Sequence, residues 1–96
     1  MRRDEYYAWS PPELLVENLS KSNRKGNLDE LLADYESIGV PEVWLLKMEQ
    51  RALPVWRLDD GKLREVRTVS EGALAPVRLP QVVVQVEEIW RILDES

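Results

Sequence analysis

Ninety-six residues, 44% hydrophobic and 32% charged, are one folded domain's worth of chain. The sequence has no cysteine and no histidine, which excludes disulfides, thiolate or imidazole metal sites, cysteine nucleophiles and serine triads with an imidazole base. A net charge of −5, from 13 basic and 18 acidic side chains, supplies no global attraction to nucleic acid, so any such contact must be a local basic patch.

A metal bound here would be a hard, oxygen-ligated ion such as Mg²⁺, Mn²⁺ or Ca²⁺. No apolar run approaches the roughly 20 residues that span a bilayer. Arg2 and Arg3 have no apolar segment behind them, so the N-terminus does not read as a secretory signal, and a cytoplasmic location is expected.

Residues 1–10 read as an arm carrying Tyr6, Tyr7 and Trp9, and residues 11–96 as a single domain. The Pro11–Pro12 step forces extended geometry at the join. Glu13–Leu19 then predicts a strand. Its run Leu14, Leu15, Val16 suggests cover on both faces. Period-2 geometry puts Glu13 and Glu17 on one face of the strand. Ser20–Asn27 is a polar loop that concentrates Lys21, Arg24 and Lys25.

Asn27 with Glu30 three residues later forms a capping-box pattern. The stripe Leu28, Leu31, Leu32, Tyr35, Ile38 predicts a helix that Gly39 and Pro41 end. Glu42–Lys47 reads as a second buried strand, completing a βαβ unit with parallel strands. Ala52–Leu58 and Lys62–Val69 flank Asp59-Asp60-Gly61, a hairpin signal, and Arg57, Arg64, Glu65 and Arg67 predict a solvated face. Pro54 calls for an edge strand or a bulge. A short extended piece near Ala73–Leu74 and an extended Gln81–Val84 precede a closing helix marked by Val86, Ile89, Trp90 and Leu93. Trp44 and Trp56 read as packing residues and Trp90 as that helix's anchor. The fold class is α/β: β-α-β-β-β, a short strand and a C-terminal helix.

A glutamate within an apolar strand costs several kcal/mol unless it is satisfied. Glu17 therefore calls for a divalent ion with Lys21 or Lys25 beside it, for an ion pair with Arg24 or Lys25, or for open water. The cations of the loop, with Ser20, Ser22 and Asn23, suit phosphate contact or a solvated turn.

The segment PPELLVENLSKSNRKGNLDELLADYESIGVPEVWLL, residues 11–46, resembles the central segment of the Uma-two family of restriction endonucleases, part of the PD-(D/E)XK nuclease-like superfamily. Pro11, Pro12, Leu14, Val16, Glu17, Leu19, Ser20 and Ser22 fall in place, as do Leu28, Leu32, Tyr35, Gly39, Val40, Glu42, Trp44 and Leu45. Asp60-Gly61 and the Leu79-Pro80 step extend the likeness to about residue 93.

The resemblance implies a partial restriction-endonuclease-like fold and a Mg²⁺- or Mn²⁺-dependent site acting on DNA. By position Glu17 and Glu13 would be the metal ligands and catalytic carboxylates; a loop lysine, Lys25 or Lys21, would have to stand in for the family's lysine, and the loop's own composition makes Lys21, Arg24 and Lys25 the candidate nucleic-acid contacts. Glu13 stands where the family usually has aspartate. The family's helix lysine corresponds to Leu31, which cannot orient or activate water, and the family's N-terminal half precedes the Pro-Pro step. The expectation is a restriction-endonuclease-like protein degenerate as a metal-dependent nuclease. The alternatives are an interaction module that retains the fold, or a Mg²⁺-dependent nuclease completed by a partner chain. An uncovered sheet edge favours a homodimer or a partner supplying the missing half.

Overall fold

The structure, a computed structural model, describes residues 12–19 and 28–95. Its elements are β1 (Leu15–Asn18), α1 (Leu28–Ile38), β2 (Glu42–Leu46), β3 (Leu53–Asp59), β4 (Lys62–Val69), β5 (Ala73–Leu74), β6 (Val84–Gln85) and α2 (Val86–Asp94). Strands β1 to β4 form one mixed sheet in that order, and β5 pairs with β6 in a second, small sheet. This is the mixed α/β arrangement that the periodicities predict, and it is consistent with a partial restriction-endonuclease-like fold. Among the described residues no helix is long and apolar enough to cross a membrane.

β2 organises the rest. Every one of its five residues is buried, so each of its faces needs a covering layer. On one face Val43 and Leu45 pack with Leu32 of α1, Val40 and Leu63, with Leu15, Leu28 and Tyr35 at the margin. On the other, Trp44 and Leu46 pack with Leu53, Val55 and Leu74 and with Val86 and Trp90 of α2. β1 runs parallel to β2, as a helical crossover requires, and β3 runs antiparallel to it.

Local chemistry fixes the turns. Gly39, at φ 87, closes α1: its N–H and that of Val40 both donate to the Tyr35 carbonyl, at 3.0 and 3.1 Å, in a Schellman-type end. Asp60 and Gly61, at φ 54 and 80, form the two-residue hairpin turn with positive φ at both positions. Pro54 lies in a central strand. The β2–β3 ladder breaks beside it, between Trp44↔Val55 and the bridge Lys47↔Ala52, because proline has no N–H to offer. The bulge that Pro54 suggests is also present, as a register shift in the β3–β4 ladder at Val55/Trp56.

Three packing expectations are corrected. Val16 is 47% exposed, so the described residues cover β1 well on the α1 side only. Ile38, at the end of α1's stripe, is 55% exposed. Val82 and Val83 lie outside the strand pair and are exposed, and β6 begins only at Val84. The Asn27 cap and the arm's Tyr6, Tyr7 and Trp9 lie outside the described residues.

The C-terminal layer is fastened by polar bonds as well as packing. Trp90 Nε1 donates to the Ser70 carbonyl at 2.9 Å, and Arg51 pairs with Asp94. Gly72 N–H donates to Glu87 at 2.7 Å, which holds that carboxyl below its ordinary value. The innermost fastening is Glu42, a charged residue only 1% exposed. One oxygen accepts from Trp44 Nε1 at 2.9 Å, the other from the Val77 N–H at 2.8 Å, and the Arg57 guanidinium lies 3.7 Å away. Removing one member of such a buried group leaves the others unsatisfied, at about 3–5 kcal/mol. Glu42→Ala is therefore expected to lower the unfolding free energy by about that much in denaturant titration, with Glu42→Gln, which keeps an acceptor, losing less.

Candidate carboxylate site on the first strand

Pairing of Leu15 with Val43 and of Glu17 with Leu45 sets the register of β1, and puts Glu17 on the face that α1 covers. Glu17 is half-buried there. α1 crosses this face on Leu32, which places Tyr35 one turn further along over the strand. The Tyr35 hydroxyl donates to Glu17 Oε2 at 2.6 Å, within the range of a hydrogen bond to an ionised acceptor. The bond ties residues 18 apart in sequence. It satisfies one oxygen of the carboxylate that the apolar strand cannot satisfy.

Leu31 precedes Tyr35 by one turn of α1 and is half-buried. Its position is the one where the resemblance places a lysine, and its side chain carries no donor. Glu13 lies outside β1 and is exposed; its Oε1 is 3.6 Å from Arg78 Nη1, in the loop after β5. The neighbouring Val77 bonds to Glu42, on the α2 side of the sheet. The two glutamates thus have different partners, Arg78 in the loop after β5 and Tyr35 of α1. Lys21, Arg24 and Lys25 lie outside the described residues.

Mg²⁺ and Mn²⁺ ask for several oxygen ligands in octahedral array. Among the described residues no three of His, Cys, Asp or Glu are arranged to hold a metal. Among the described residues the donor at β1 is one carboxylate, one oxygen of which accepts from a phenol, and a single carboxylate does not make up that array.

Two residues here were not singled out by sequence reasoning as polar partners. Tyr35 falls within the apolar stripe of α1 and reads as core, although its hydroxyl is the group that meets Glu17. Glu42 opens the apolar run EVWLL; an acid in that position, with arginines in the next strand, is the signal that could have marked it. Its three partners make it a structural clamp.

Comparison with known protein families gives one result. The Uma2 family model, described as "putative restriction endonuclease", matches residues 2–87. Among curated proteins nothing matches.

The Tyr35–Glu17 bond can be measured directly. A double-mutant cycle of Tyr35→Phe and Glu17→Ala is expected to return a coupling of about 1–2 kcal/mol in chemical denaturation, the size of a partly exposed hydrogen bond to a charged group. A coupling near zero would mean that the bond contributes nothing to the fold.

Proposed function

The chain belongs to the Uma2 family of restriction-endonuclease-like proteins, and from that membership we propose that it keeps the nuclease-like sheet without independent metal-dependent DNA cleavage. One observation carries the reading: Glu17, the strand carboxylate, is committed to Tyr35 at 2.6 Å. A bound divalent ion supplies such enzymes with charge stabilisation and an activated water. The residues of this chain that would present it, Glu17 and Glu13, are turned to other partners. Leucine at position 31 adds to this, since loss of one member of a catalytic set removes most of its rate. Glu17 here positions α1 against β1.

The test is nicking of supercoiled DNA with Mg²⁺ or Mn²⁺, alongside calorimetry of metal binding, on the wild type and on Glu17→Ala. Neither protein is expected to nick, and neither to bind the ion more tightly than the other. Mg²⁺-dependent nicking that disappears in Glu17→Ala would restore the catalytic reading.

A second reading, an interaction module that pairs with another copy of itself, is favoured by the contrast between the sheet's two edges. The β4 edge is blunted by Lys62, Arg64, Arg67 and a bulge, and its Leu63 N–H is taken by Glu36 of α1 at 2.7 Å. On β1, Val16 is exposed on an edge that no described strand pairs. Light scattering after size exclusion is expected to give a dimer at micromolar concentration, and a dimer weakened by Val16→Lys. A monomer throughout would remove this second reading.

A further inference from the structure

The β3–β4 hairpin sorts its charges in a way that alternation alone does not predict. Arg64 and Arg67 are three residues apart, which in a regular strand puts them on opposite faces. The register shift at Val55/Trp56 changes that. Val55 pairs with Arg67 and Trp56 with Glu65, which leaves Val66 as the extra residue and resets the alternation. Lys62 lies opposite Asp59, and Arg64 opposite Arg57.

Lys62, Arg64, Arg67 and Arg57 therefore share one face, that of Glu42 and Trp44. Glu65 and Thr68 fall on the other, where the threonine hydroxyl donates to Glu65 at 2.7 Å.

Two carboxylates stand among these cations. Asp59 is 3.9 Å from Arg64, and Glu42 is 3.7 Å from Arg57. Four positive charges against two negative leave this face net positive on a chain of net charge −5. The Arg64 side chain is 63% exposed and Lys62 and Arg67 are exposed. Arg57 is 34% exposed, and its Nε makes no hydrogen bond. Arg57 and Arg64 stand directly opposite each other across the ladder, which concentrates positive charge at that point, each with one carboxylate beside it.

We propose that this face of the β3–β4 hairpin is a binding surface for the phosphate backbone of duplex nucleic acid, with Arg64, Arg67 and Lys62 as the phosphate contacts and Arg57 held beside them by Glu42. Several cations fixed on one face of a two-stranded ribbon match a regularly spaced polyanion, and they read charge rather than base sequence. The choice of nucleic acid over another polyanion rests on the family reading; the cation cluster does not.

The test is anisotropy of a labelled DNA duplex across a salt series, for the wild type, for Arg64→Gln/Arg67→Gln, for a control Arg91→Gln on α2, and for the loop variant Lys21→Gln/Arg24→Gln/Lys25→Gln. Both hairpin arginines are exposed, and circular dichroism checks that the fold is kept. The double variant is expected to weaken binding alike for unrelated duplexes and to reduce the salt slope by about 2, roughly one per cation removed. The Arg91 control should leave the slope unchanged.

Wild-type binding that the double variant leaves intact would overturn the proposal, as would loss confined to the loop variant or absence of duplex binding at low salt. Binding of heparin but not of duplex would overturn the nucleic-acid assignment. None of these outcomes bears on nicking, so failure here and failure of the non-cleaving reading remain separate.

Discussion

A strand buried at all five positions cannot exist alone. β2 removes Val43, Leu45, Trp44 and Leu46 from water only if one layer covers each face, and that need places every other element. α1 is the layer on one side, and the crossover it makes obliges β1 to run parallel to β2. The β5–β6 pair and α2 form the layer on the other side. Burial also decides the fate of the single acid in the strand. Glu42 is accommodated in such a place by Trp44, Val77 and Arg57, which surround its carboxyl group. Those bonds in turn fix where the loop after β5 passes.

The same economy of partners governs β1. A carboxylate half-withdrawn from water needs a donor, and among the described residues the phenol of Tyr35 supplies one. A catalytic carboxylate has to leave its oxygens available to an ion or a water, whereas a structural one is better satisfied by the protein itself. Under the function proposed above, Glu17 lies toward the structural end of that range. The family's ordered set of residues thus persists in a sheet whose described carboxylates hold elements together. The fold and the chemistry grafted on it have separate requirements, and the first can be met while the second is not.

Legibility in the sequence followed the range of the interactions involved. α1, the parallel β1–β2 pair, the Asp60-Gly61 turn and the closing helix were all readable, because each rests on local spacing or on turn residues with a fixed backbone demand. Exposure was less readable. Leu14, Leu15 and Val16 form one apolar run, yet Val16 is about half exposed, since cover on a second face depends on elements far along the chain. The partners of Glu13 and Glu17 were hidden for the same reason: Arg78 and Tyr35 become neighbours only through tertiary packing. Pro54 signalled a bulge, but its position at Val66 was hidden in another way. Val66 is an ordinary residue for a strand, and only the pairing with β3 shows that it is unmatched and that Arg67 changes face.

The construction of the second core has a consequence for synthesis. Trp44, Leu46, Leu53 and Val55 come from the middle of the chain, but Leu74, Val86 and Trp90, which cover them, are made much later. A nascent chain that has emerged only as far as β4 can close α1 over one face of the sheet while the other face remains bare, with a tryptophan at its centre. Contacts of such long sequence separation form slowly, and apolar surface left open in the meantime is prone to association. Among the described residues, that face of the sheet is fully covered only once α2 docks.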